Sequence, residues 1–180
     1  MKIMLEGIDG IGKTTIAKKL CNELGLGYYH PPTALKNLSA YQKTISQEYI
    51  KAAQLNNIIF DRLYMSEYAY SKRPVNYISE IEERIAEELC DVKAIDNLIL
   101  VTIMMEIGTV KTSGIFNKIK IGPHKIGFGK YRRLEKVNKR YIDGFWVSGL
   151  KNKLLIRHDG FDWTANEIFK FILKKGELFI

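Results

Sequence analysis

Residues 7–14 read G-I-D-G-I-G-K-T and fit the pattern G-x-x-x-x-G-K-[ST], lying between the apolar run Ile3-Met4-Leu5 and a stretch with helical spacing. Gly7 and Gly12 let the backbone turn so that successive amide N–H groups face an anion. Lys13 can then reach the β/γ-phosphates, and the Thr14 hydroxyl can hold Mg²⁺. Gly10 and Thr15 belong to the same cradle. A strand, a glycine loop and a helix in this order demand an α/β sheet, with ATP and Mg²⁺ as the expected cofactors.

The rest of the chain agrees with that demand. Helical spacing over residues 13–24 (Ile16, Ala17, Leu20, Leu24) ends at Gly25, and residues 26–30 read as a second strand closed by Pro31-Pro32. A helix is expected over residues 38–56, with Leu38, Tyr41, Ile45 and Ala52 inward. A buried strand at 57–60 and a short helix at 63–71 follow it. Ser79-x-x-Glu82 reads as a capping box opening a helix over 79–89, and a fourth strand spans 98–103. Residues 119–126 suggest a small hairpin, and 130–147 a long helix with Leu134, Val137, Tyr141, Phe145 and Trp146 on one side. A fifth strand is expected at 153–157, and Thr164-x-x-Glu167 is expected to cap a final helix to residue 175. Strands that are continuous apolar runs alternating with helices imply a parallel sheet covered on both faces, in one domain spanning residues 1–180.

Charge is concentrated in one place. Between residues 107 and 140 ten lysines and arginines face a single acid, Glu135, whereas the remainder of this +8 chain is near neutral. A uniformly basic protein suggests nucleic acid. One basic segment in a neutral body suggests a flap closing over something anionic, so a lid is expected at about residues 107–133 and nucleic acid is not the expected partner. The longest apolar run, residues 98–105, is too short to span a membrane. The N-terminus has strand character without a cleavable signal pattern, and Cys21 and Cys90 lack metal-ligand spacing; a cytoplasmic location is the expectation.

A second constellation, D-R-L-Y-M-S-E-Y-A-Y at residues 61–70, falls at the end of the third strand, where open α/β sheets place ligands. Asp61 there can join Thr14 in the Mg²⁺ shell, and Arg62 can grip a phosphate bidentately; a strand-end Asp can also simply cap the helix that follows.

These two segments resemble the thymidylate kinase family of P-loop nucleoside monophosphate kinases, the second through its D-R-x-x-x-S-x-x-A-Y pattern and, in a form similar to small phage-type relatives, S-E-x-x-Y. The resemblance implies a five-stranded parallel sheet of order 2-3-1-4-5, an ATP-dependent transfer to a deoxynucleoside monophosphate, and a family that is commonly dimeric. It implies that Asp9 binds the deoxyribose 3′-hydroxyl, Arg62 the acceptor phosphate, and Ser66 and Tyr70 the acceptor's surroundings, with Tyr70 lining the sugar pocket. Because position 10 is glycine, it also implies a transition-state cation from the lid. Lys125, Lys130, Arg132 and Arg133 are the candidates, since Arg133-Leu134-Glu135 is similar to the family's D-R-x-E. The chain departs from the family after the second strand, where Tyr29-His30-Pro31-Pro32 replaces R-E-P-G, and at Ser71, which replaces a glutamine. Tyr41 and Tyr49 can stack on a base or pack the core.

Three functions compete. A monophosphate kinase needs no general base, because its acceptor phosphate has a second pKa near ~6. A deoxynucleoside kinase needs a carboxylate to deprotonate a 5′-hydroxyl, and residues 28–33 contain none. A nucleotide-dependent nucleic-acid-binding module would use the basic segment, but the neutral remainder provides no extended electrostatic footprint.

Overall fold

All six residues of β1 (Lys2–Gly7) are buried, which is the pattern of a strand covered on both faces and paired on both edges. The computed structural model describes residues 1–31, 49, 52, 54–88, 98–105, 118–121 and 124–176. Its main sheet has five strands in the order β2-β3-β1-β4-β7, the order expected from the resemblance. β1 pairs in parallel with β3 (Ile58–Asp61) up to Leu5↔Asp61, and with β4 (Leu98–Met104) through Glu6↔Thr102 and Gly7↔Ile103. β2 (Gly27–Tyr29) and β7 (Asn152–Arg157) form the edges and are less buried.

Because the chain leaves β1 for one side of the sheet and later returns to the other, the carboxyl end of β1 sits at the switch point where such sheets bind ligands. α1 (Lys13–Leu24) packs with α5 (Phe161–Gly176). α2 (Tyr64–Tyr70), α3 (Tyr77–Glu88) and α4 (Phe128–Val147) pack with one another to complete the second helical layer. β5 (Lys118–Ile121) and β6 (His124–Gly127) form the expected hairpin, paired Ile119↔Ile126 just before α4. Tyr49 is buried and packs edge-on against Tyr64 at 6.0 Å, so it belongs to the core. Ala52 is buried as expected, whereas Tyr41 and the other residues of the helix expected over 38–56, apart from 49, 52 and 54–56, lie outside the described residues, as does Cys90.

Three expectations are corrected. α3 begins at Tyr77, two residues before the expected cap, because the Pro74-Val75-Asn76 turn starts it: Tyr77 N–H bonds to the Pro74 carbonyl and Asn76 Nδ2 donates to Glu80 at 2.6 Å. Glu82 is therefore not a cap. It is buried, and its carboxylate accepts from Tyr64 Oη at 2.8 Å, Ser148 Oγ at 2.6 Å and Gly149 N–H at 2.7 Å. α5 likewise begins at Phe161, ahead of Thr164, whose buried hydroxyl accepts from Asp159 N–H at 3.3 Å within the first turn. Trp146 is 68% exposed, while Phe145 next to it takes the inward position that continues the Leu134, Val137, Tyr141 series at helical spacing.

Glu82→Ala leaves the buried Tyr64 and Ser148 hydroxyls and the Gly149 N–H without their acceptor, and is expected to lower stability by about 3 kcal/mol. Urea unfolding measures it; a loss under about 1 kcal/mol would mean that these donors find other partners.

Candidate active site at the carboxyl end of the sheet

The loop after β1 can form only with glycine at its two ends. Gly7 has φ +149°, and a Cβ there would lie 2.4 Å from the Ile103 carbonyl oxygen; at Gly12, φ +91°, it would lie 2.1 Å from the Phe161 ring. The loop is thus pressed between the end of β4 and the start of α5, and α1 begins directly after it. Lys13, 4% exposed, curls over the loop and donates to the Ile8 carbonyl at 2.7 Å. Burial, then the neighbouring Arg62, depress its pKa to about 8, so an anion bound in the loop would restore the charge that burial disfavours.

Beside Lys13, Thr14 Oγ1 donates to Asp61 Oδ2 at 2.5 Å, and Tyr28 Oη donates to the same oxygen at 2.8 Å. His30 Nδ1 lies 2.8 Å from the Asp61 carbonyl, which requires that nitrogen to carry a proton. Asp61 Oδ1 is buried and has no partner among the described residues. A buried carboxylate oxygen without a donor, next to a threonine hydroxyl, is an oxygen-only set suited to a hard divalent cation or its bound water. Among the described residues no three His, Cys, Asp or Glu side chains cluster as a cage. Such an ion would therefore share its shell with phosphate oxygens.

On the other side of the loop, Arg62 forms an ion pair with Asp9, and its guanidinium lies 5.4 Å from the centre of the Tyr70 ring. Tyr70 Oη accepts the Asp9 N–H at 2.8 Å, which ties α2 to the loop. Burial works to raise the Asp9 carboxyl, but Arg62 and the Tyr70 hydrogen bond outweigh it and hold Asp9 below its ordinary value. Burial and Asp9 together push Tyr70 up to about 12, so it stays a neutral phenol.

The sequence-predicted residues therefore divide. Gly7, Asp9, Gly10, Gly12, Lys13, Thr14, Thr15, Asp61, Arg62 and Tyr70 converge on the ends of β1 and β3. Ser66 turns inward instead, donating to Glu6 Oε2 at 2.6 Å and meeting Tyr141 Oη at 2.7 Å. Arg132 and Arg133 lie exposed on α4, with Lys130 on the same helix and Lys125 on β6. Sequence reasoning gave no role to Glu6, which is fully buried and accepts Leu63 N–H at 2.7 Å; the signal was an acid directly after the apolar run Ile3-Met4-Leu5. It also missed Glu67, whose carboxylate holds Arg73 Nε at 2.8 Å and Tyr77 Oη at 2.5 Å. The last missed residue is Arg140, which donates from α4 to the carbonyls of Tyr68 and Arg73, both at 2.6 Å.

A five-stranded parallel sheet of this order with a phosphate loop at its central strand is the fold of the P-loop kinases. Among solved structures the chain is similar to the YorR protein of Bacillus subtilis in complex with phosphorylated GDP, at 19% identity over 98% of each chain and a TM-score of 0.71. It is also similar to deoxyadenosine kinase from M. mycoides with products dCMP and dCDP, at 21% identity over 97% of this chain and 99% of that one, TM-score 0.55. Thymidylate kinase from Ehrlichia chaffeensis follows at 16% identity over 96% and 98%, TM-score 0.57. At these identities the likeness is one of fold. No protein-family model and no curated protein matches the chain.

The burial of Glu6 predicts a pH dependence. Burial raises its carboxyl to about 7, against the pull of the Ser66 and Leu63 hydrogen bonds and of Arg62 and Lys13. A raised native pKa means the folded state binds the proton more tightly, so this contribution to stability is full below the unfolded value of 4.5 and is lost as pH rises through about 7. The melting temperature of the wild type relative to Glu6→Gln is expected to fall across that window and level off above it. A pH-independent difference would show that Glu6 is ionised throughout.

Proposed function

We propose that this chain is an ATP-dependent kinase that moves the γ-phosphoryl group onto a deoxynucleoside monophosphate. The observation that carries this reading is the arrangement of two groups of side chains around one loop: Lys13, Thr14 and Asp61 on one side, Asp9, Arg62 and Tyr70 on the other. The first group suits the donor's phosphates. Thr14 and Asp61 would hold Mg²⁺, which neutralises charge on the donor phosphates when bound. Lys13 exchanges the Ile8 carbonyl for a phosphate oxygen, and the loop amides and the start of α1 orient the donor.

The second group suits an acceptor that is already phosphorylated. The Arg62 fork, paired with Asp9 in the free protein, matches a phosphate bidentately, and Asp9 then becomes free to accept a sugar hydroxyl. A dianionic phosphate needs no base, so the reaction rests on positioning and on neutralising charge. The basic segment at about residues 107–133 serves in this reading as a lid over the donor, with Arg132 or Arg133 bringing the cation to the transferring group. A deoxynucleoside as acceptor is the second reading. It draws on the likeness to a deoxyadenosine kinase and would need the free Asp61 oxygen as its base.

An assay of ADP release across the four deoxynucleoside monophosphates and the matching nucleosides separates the two readings. Turnover with at least one monophosphate is expected, and turnover with nucleosides alone would overturn the first reading. Lys13→Ala and Thr14→Ala are expected to lower kcat by about 10²-fold or more while circular dichroism shows the fold retained. Near-wild-type kcat in either variant would sink phosphoryl transfer altogether.

The lid reading is tested separately. Of Arg132→Ala, Arg133→Ala, Lys125→Ala and Lys130→Ala, one is expected to lower kcat by up to ~10³-fold with little change in acceptor KM. If all four keep kcat and weaken DNA binding, the segment is a nucleic-acid surface.

A further inference from the structure

Glu6 stands at the last side chain before the loop, and nothing in phosphate binding requires an acid there. Both its oxygens are engaged by the turn that follows β3. Oε1 accepts the Leu63 N–H at 2.7 Å, and Oε2 accepts the Ser66 hydroxyl proton at 2.6 Å. With Glu6 ionised, Ser66 gives its one proton to Glu6, and the 2.7 Å contact with Tyr141 then runs from the Tyr141 hydroxyl to Ser66 Oγ. An amide and a relay of two hydroxyls therefore all orient toward one carboxylate, linking β1, the turn, α2 and α4.

What lies inside that grip is Arg62. Its φ of +81° is in the left-handed region, which a residue other than glycine occupies only when its surroundings hold it there. It is held from both directions. Its own N–H bonds to the Leu5 carbonyl at 3.0 Å, and the next N–H, that of Leu63, bonds to Glu6. Leu5 and Glu6 are consecutive on β1, so one strand clamps the peptide on both sides of Arg62. Releasing the second bond would let φ relax to negative values, and that rotation carries the guanidinium away from Asp9 and from the Tyr70 ring.

We propose that Glu6 is a positioning residue: by holding the Leu63 amide and the Ser66 hydroxyl it fixes Arg62 in its left-handed conformation and aims the guanidinium across the loop at Asp9 and Tyr70, and through Tyr141 it ties that aim to α4. Arg62 and Lys13 lie close enough to offset part of the cost of burying the carboxylate. That Arg62 then meets an acceptor phosphate rests on the kinase reading. That Glu6 holds Arg62 does not.

The experiment has two arms. In the first, the Arg62 Nε–H resonance of ¹⁵N-labelled protein, assigned by its loss in Arg62→Lys, reports the guanidinium's environment without any substrate. It is expected to shift to the position of a solvated arginine in Glu6→Ala, to shift part of the way in Ser66→Ala, and to stay near the wild-type position in Glu6→Gln, whose amide oxygen still accepts from Leu63. In the second arm, Glu6→Ala is expected to raise the acceptor KM by about tenfold or more, with kcat and the ATP KM little changed, as the loss of an interaction made equally in ground and transition states requires. Glu6→Gln should recover most of that loss.

An unmoved Arg62 resonance in Glu6→Ala would overturn the proposal, as would an equal rise in both KM values together with a fall in kcat. If Glu6→Ala does not fold, Ser66→Ala decides, and an unmoved resonance there overturns the relay. If the wild type phosphorylates no monophosphate, the monophosphate-kinase reading falls, and the resonance arm still decides the role of Glu6.

Discussion

The close approach of Gly7 to the Ile103 carbonyl is the constraint from which the site follows. With a Cβ position only 2.4 Å from that oxygen, the residue at the end of β1 can have no side chain, and the backbone must turn there at positive φ. Because β1 is the central strand, this turn happens between β3 and β4, at the edge where helix N-termini and strand ends gather. The same turn brings Asp9 opposite Arg62 and sets Thr14 against Asp61. A wider turn would separate the two groups of side chains that now lie around one loop.

Around that turn the protein manages buried charge by giving each acid a distinct set of donors. Glu82 is held by three neutral donors from α2 and the end of α4 and serves packing. Glu67 is held by Arg73 and tyrosines, and Arg73's own carbonyl is held by Arg140, so α2 and α4 are joined through both backbone and charge. Asp61 is the acid that keeps a buried oxygen with no partner among the described residues, where the other such atom is the Thr102 hydroxyl. Since an unpaired buried carboxylate oxygen costs about 1–3 kcal/mol, its presence next to Thr14 points to ligand chemistry rather than to packing.

The helical layer formed by α2, α3 and α4 is accordingly more than a cover for the sheet. Tyr141 and Arg140, neighbours on α4, reach the two ends of α2, one through Ser66 and the other through the Tyr68 carbonyl. Asn138, one turn earlier, fastens the end of β4 by bonding both the N–H and the carbonyl of Met105. The end of β4 at Met105 is thus anchored to α4, the helix that carries Arg132 and Arg133.

The loop, the parallel strands and the residues at their carboxyl ends were legible in the chain itself, because each depends on local conformation: glycine where φ is positive, apolar runs where both faces are covered, Asp-Arg where a strand stops. Composition also located the basic segment. What the chain could not disclose were partners far apart in sequence. Glu6 and Leu63 are 57 residues apart, Arg140 and Tyr68 are 72, and Glu82, read as part of a cap, instead meets Tyr64 at a separation of 18 residues and Ser148 at 66. A buried acid looks the same in a sequence whether it caps a helix, anchors a core or aims an arginine. Only the folded arrangement of its donors decides among these, because hydrogen bonds are satisfied by whatever the fold brings within 3 Å.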